Sequence, residues 1–160
     1  MELLVPMATL MSYGQRLQEI HKELASAGRT WGTLKTIKQS LLVASVDSNS
    51  SDEHFLTPLH VACAEGNFEM VRLIVSHGSS VNRLDVHGHG PLWHAAQQGH
   101  GEIIQFLIQE GAVVNSIDQF GATPLHVAAE NGHCLVVKHL LQADAEIIKD
   151  VYGTVPHVNL

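Results

Sequence analysis

A period of 33 residues is the feature that most restricts how this chain can fold. The string TPLHVACAEGN begins at Thr57, GPLWHAAQQGH at Gly90 and TPLHVAAENGH at Thr123, so the intervals are 33 and 33. Each string leads into an apolar segment (FEMVRLIVSHG, GEIIQFLIQEG, CLVVKHLLQAD) and then a short polar stretch. A constant period of this size marks a stacked array, in which no unit can bury its apolar face alone. Composition agrees: hydrophobic residues are 45 % but aromatics only 5 %, so the core must be made of Leu, Ile, Val and Ala. Such a core suits helices that approach closely through small side chains.

The third unit shows the local logic. Thr123 stands where a side-chain oxygen caps a helix, and Pro124 takes the first helical position, where a missing N–H costs nothing. Leu125, Val127, Ala128 and Ala129 continue a short helix that Asn131-Gly132 ends, because glycine readily adopts the left-handed C-cap conformation. A second helix then carries Leu135, Val136, Leu140 and Leu141. Neither helix is long enough to be stable in isolation.

The pattern D-x-x-G-x-T-P-L-H-x-A-A-x-x-G-H, two apolar pairs and G-A-x-V-N resembles the ankyrin repeat over about two-thirds of the chain. The resemblance implies an all-α repeat solenoid of helix-turn-helix units joined by short β-hairpin loops. Units are placed at 52–84, 85–117 and 118–149, with a truncated start of a fourth at 150–160. Several positions depart from the pattern. Phe55 stands where the hairpin glycine belongs, Gly90 and Trp93 replace Thr and His, and Val155 replaces Thr in the last fragment. The third unit is one residue short, with Asp144 in place of the glycine that ends the second helix.

Residues 1–11 are read as a flexible N-terminus and 47–51 as a polar linker. Between them, Tyr13, Leu17, Ile20 and Leu24, then Leu34, Ile37, Leu41 and Ala44, recur at helical spacing. Residues 12–46 therefore read as a helical pair forming a degenerate capping repeat, with one apolar side to stack and one polar side for water. The same stripe also suits a separate coiled coil or partner-binding hairpin. The opposite end has no such cap: Val136, Val137, Leu140 and Leu141 precede an incomplete unit. An exposed apolar flank and self-association through it are expected there.

Residue chemistry points away from catalysis. The formal net charge is −7 and no Lys/Arg run occurs, which argues against nucleic acid or a membrane surface as partner. Glu2 stands where a signal peptide wants positive charge, and no stretch approaches the ~20 apolar residues of a membrane span. An apolar anchor at residues 3–11 remains a third-ranked reading. Cys63 and Cys134 fit neither a disulfide framework nor a zinc motif, and Cys63 falls on the small-residue face of a first helix. No G-x-S-x-G elbow, P-loop or H-E-x-x-H is present.

Of 12 histidines, His60, His126, His100 and His133 belong to the repeat pattern itself. His54, His87 and His89 lie at neighbouring tips and invite a zinc reading, but no fourth ligand stands at a recognisable spacing. No catalytic residue, metal site or cofactor is therefore assigned.

The resemblance implies that hairpin tips and the exposed side of the first helices form a concave recognition surface for another protein. Carried over by position, its residues are His54, Leu56, Glu65, His87, His89, Trp93, Gln97, Gln98, Phe120, Glu130, Asn131 and Tyr152. Trp93 either packs on the next hairpin or serves as an anchor, and Phe120 and Tyr152 either pack between hairpins or face a partner. The resemblance further implies Asn82 and Asn115 as substrates of an asparaginyl hydroxylase, although Ser80 and Val113 stand where an acidic residue would precede them. The expected function is a non-catalytic interaction module or adaptor in the cytoplasm, with the nucleus as alternative. The competing reading is a regulatory segment of a longer protein whose activity lies elsewhere.

Overall fold

A computed structural model describes residue 51 and residues 55–157. The N-terminal segment 1–11, the helical pair 12–46, most of the 47–51 linker, His54 and the last three residues lie outside the described residues.

Among the described residues, six helices form three antiparallel pairs: α1 (Pro58–Glu65) with α2 (Phe68–Ser76), α3 (Pro91–Gln98) with α4 (Gly101–Gln109), and α5 (Pro124–Glu130) with α6 (Cys134–Gln142). Each first helix opens with Pro at its first position. The left-handed break follows at Gly66, Gly99 and Gly132. First helices pack on one another along the stack, α1 on α3 and α3 on α5, more extensively than α2 on α4 or α4 on α6. Their facing residues explain why: Ala62, Cys63, Ala95, Ala96 and Ala128 are fully buried, and small side chains let the helices approach. Leu59, Met70, Ile74, Ile103, Ile104, Leu107, Leu125 and Leu140 complete one continuous core. Burial pushes the Cys63 thiol far up, so it stays a neutral packing group.

Three side-chain ladders couple the units. His60 Nδ1 accepts from the Thr57 N–H at 3.0 Å, which leaves the proton on Nε2 to donate to the His89 carbonyl of the next tip at 3.2 Å. His126 repeats this between Thr123, at 3.1 Å, and the Thr154 carbonyl, at 3.3 Å. His100 and His133 point back, to the Ala64 carbonyl at 3.2 Å and the Gln97 carbonyl at 2.9 Å. Asn82 and Asn115 form the third ladder. Asn82 donates to the Gly111 carbonyl and accepts from Val113 N–H, and Asn115 does the same with Asp144 and Glu146. Both asparagines thus spend their amides on holding adjacent units.

The expected hairpin loops are tight turns, and no β-strand occurs among the described residues. An aspartate organises each of the three later tips: Oδ1 of Asp85, Asp118 and Asp150 accepts two backbone N–H groups. Successive tips join through Gln119 N–H to the His87 carbonyl and Val151 N–H to the Phe120 carbonyl. The fourth tip therefore forms, although no helix follows it among the described residues.

The C-terminal end differs from expectation. Val136, Val137 and Leu140 are buried at 0 %, 5 % and 0 % exposure, because α6 lays that face against α4 and α5. The exposed apolar side chains there are Leu135, Ile147, Val151 and Tyr152 instead.

Candidate functional site

Tips and first helices meet along one edge of the stack. Among the described residues, the second unit carries a cleft of about 390 Å³ lined by Leu56, Asp85, Val86, His87, His89, Trp93, His94 and Gln97. Tip residues supply one wall and α3 the other, so Leu56, His87, His89, Trp93 and Gln97 line one cleft. Phe120 and Tyr152 continue the row on the next two tips. Their ring centroids lie 6.2 Å apart, yet they remain 45 % and 76 % exposed, so they stack on each other and still face solvent. Glu65, Gln98, Glu130 and Asn131 are exposed at the C-terminal ends of the first helices. His54 lies outside the described residues.

Trp93 adopts a packing that the sequence reading did not consider. It stacks on His89 of its own tip, with ring centroids 3.6 Å apart and planes 10° from parallel, rather than on the next hairpin. The cause is the replacement at this position. Trp93 stands where His60 and His126 stand in the neighbouring units, and an indole has no acceptor for the N-cap N–H. Its Nε1 is buried without a hydrogen-bond partner among the described residues. The second unit therefore lacks the histidine latch to the following tip.

His94, the next residue, turns to the tip aspartate instead. Its Nε2 donates to Asp85 Oδ2 at 3.0 Å. His89 Nδ1 lies 3.6 Å from the same oxygen, and His89 Nε2 lies 3.3 Å from Asp118 Oδ2. All four side chains are largely enclosed, with 4 % exposure for Asp85, 5 % for Asp118, 15 % for His89 and 17 % for His94. His89 is thus turned inward, whereas His87 faces solvent. Burial raises the Asp85 carboxyl, but hydrogen bonds from the His89 backbone, the His94 ring and the His87 backbone outweigh it and hold the group below its usual range. Burial lowers His94, against the opposing pull of Asp85. His60, packed edge-on against His94 at 5.4 Å, is lowered to about 4 by burial and then by His94.

His89 was grouped in the sequence with His54 and His87 of the tips, and its partnership with Asp85 and His94 was missed. The signal was an Asp-x3-His-x4-His spacing inside one unit, which joins a tip to its own helix.

A family model described as ankyrin repeats (three copies) matches residues 24–118 and 85–151. Human ankyrin repeat domain-containing protein 7 is 33 % identical over 64 residues, 40 % of this chain and 25 % of that protein. Ankyrin repeat protein FPV244 of fowlpox virus (strain NVSL) is 41 % identical over 46 residues, 29 % of this chain and 7 % of that protein. The chain thus spans a quarter or less of the length of these relatives.

Proposed function

Since the chain belongs to the ankyrin-repeat family, whose repeats are in general protein–protein interaction modules, we propose that it binds a protein partner along the edge formed by tips and first helices. The observation that carries this reading is the row of exposed apolar side chains on successive tips. Val86, Phe120, Val151 and Tyr152 are 44 %, 45 %, 64 % and 76 % exposed, beside a cleft walled by α3. Tip turns need no such side chains for their own closure, because Asp85, Asp118 and Asp150 close them from within. Aromatic residues in such a row are the usual anchors of an interface. Glu65, Glu130 and the net charge of −7 favour a partner with basic or neutral polar surface, and act mainly on association rate and selectivity. The module is non-catalytic in this reading: it supplies a rigid surface, not reacting groups.

Placement in the cytoplasm or nucleus belongs to the same proposal. Cys63 and Cys134 are both unpaired, and Cys134 is exposed, which suits a reducing compartment. Among the described residues no helix is long and apolar enough to cross a membrane. A second reading, a regulatory ankyrin segment serving an activity elsewhere in a longer protein, is favoured by the small share of each relative that the chain spans.

Affinity capture with the full chain tests the surface, beside a variant carrying Phe120→Ala, Tyr152→Ala and Gln98→Ala and matched for helicity by circular dichroism. A partner held by the first and lost by the second is the expected result. Equal retention by both would move the interface to the exposed Leu135 and Ile147 flank or to residues 12–46, and would overturn the proposal.

A further inference from the structure

The second unit contains chemistry that its repeat pattern does not require. Asp85, Asp118 and Asp150 each use Oδ1 to close their own turns, but among these Asp85 alone has its other oxygen between two histidines of its own unit, whereas Asp118 Oδ2 meets only His89 of the preceding tip. The positions equivalent to His89 are Leu56, Ala122 and Thr154, and those equivalent to His94 are Val61 and Val127. None of these offers an imidazole, and the neighbouring tips that are described close without one.

We propose that Asp85, His89 and His94 form a site for a zinc-type divalent transition-metal ion, with one coordination position open to the cleft. The donor atoms lie within 4.8 Å of one another. Asp85 Oδ2 is 3.0 Å from His94 Nε2 and 3.6 Å from His89 Nδ1. An ion bound at about 2.0–2.2 Å in tetrahedral geometry holds its ligand atoms roughly 3.3–3.6 Å apart, so the two donor pairs that include Asp85 already lie near that spacing. Two imidazoles and a carboxylate are a ligand set common to zinc and iron(II).

Outer contacts hold the donors in place. Two backbone N–H groups at 2.9 Å fix the Asp85 carboxylate through Oδ1. His89 presents Nδ1 to the site while Nε2 faces Asp118 Oδ2 at 3.3 Å, the carboxylate–histidine arrangement that orients metal-bound imidazoles. Trp93 stacks on the face of the His89 ring and closes that side to water. On binding, the His94 Nε2–H bond to Asp85 gives way and the ring carries its one proton on Nδ1. The open position faces the cleft, where water, His87 or an external donor completes the shell. The ion would tie the tip to α3 in the unit that lacks the histidine latch. None of this depends on the partner-binding proposal.

The test is titration of the full chain with Co²⁺ at neutral pH, read by visible absorption, followed by displacement with Zn²⁺. Asp85→Asn keeps the Oδ1 acceptor of the tip and removes the charged donor, and His94→Gln removes an imidazole. His77→Gln and His157→Gln, at exposed positions, are the controls. The expected result is one ion per chain with low-symmetry cobalt bands, at least about tenfold weaker binding in Asp85→Asn and His94→Gln, and unchanged binding in the controls. Zinc should raise the melting temperature of the unsubstituted chain and of the two controls, but not of Asp85→Asn or His94→Gln. Should His94→Gln fail to fold, His89→Gln carries the same expectation. Absence of cobalt bands at millimolar ion, or equal binding by Asp85→Asn and His94→Gln, would overturn the site.

Discussion

Phe55 and Asp144 are the two non-glycine residues with positive φ among those described, at 57° and 61°. Both occupy places where the repeat uses glycine: Gly88, Gly121 and Gly153 match Phe55, and Gly78 and Gly111 match Asp144. The left-handed conformation costs an L-residue roughly 1–2 kcal/mol, less for Asp than for an aromatic. The repeat geometry thus overrides local preference at two points. Phe55→Gly should stabilise the chain by about 1 kcal/mol, after part of the relief is lost to the greater freedom of glycine in the unfolded state. Asp144→Gly should gain less. Urea melts of both variants would check the order, and a loss of stability in either would mean that its side chain makes a compensating contact.

Helix ends show why glycine is required elsewhere. Gly99 ends α3 at φ 81°, and a Cβ there would meet the His133 ring at 2.6 Å. That ring cannot retreat without losing its hydrogen bond to the Gln97 carbonyl, one of the last acceptors of α3. Gly99→Ala therefore combines backbone strain with a displaced inter-unit contact, and should cost about 2–3 kcal/mol. Thermal unfolding would register this as a clear drop in midpoint. Gly132, with φ 73°, has no atom near its Cβ position among the described residues, so Gly132→Ala should cost only the strain, about 1–2 kcal/mol. The difference between the two isolates the histidine contact.

Because each unit touches only its neighbours, stability across the stack depends on the latches between units. His60 is fully buried and neutral, with its pKa lowered to about 4 by burial and by His94. The unfolded chain binds this proton near pH 6.5, while the folded chain refuses it until about 4, so the unfolded state holds more protons between those values. Stability is fully present above about 6.5, is lost as pH falls towards 4, and is not further reduced by this group below that. A shift of this size corresponds to about 3 kcal/mol. Chemical denaturation from pH 7 to 4 should show the decline, and His60→Gln should be less stable at pH 7 with a shallower slope. An equal slope in both would assign the pH dependence to other groups.

Unit length, helix positions and the run of tip positions were legible from the sequence, because they rest on signals repeated within a few residues of each other. Thr123 with His126, Pro124 and Gly132 act within one turn of helix, and a 33-residue period repeats them in phase. The left-handed place of Asp144 followed from alignment with Gly111 for the same reason. Side-chain direction was a different matter. Trp93 was expected either to pack on the next hairpin or to serve as an anchor, and it stacks on His89 of its own tip, because stacking depends on the space left by a missing histidine latch. His89 was counted among solvent-facing tip residues and turns inward, drawn by two aspartates, one of them 29 residues away. Val136, Val137 and Leu140 were expected to stand exposed beside an incomplete unit, yet α4 and α5 cover that face. Repetition makes local interactions readable in the chain, whereas the Asp85, His89 and His94 cluster arises where one unit breaks the repetition and the packed neighbours settle which way each ring turns.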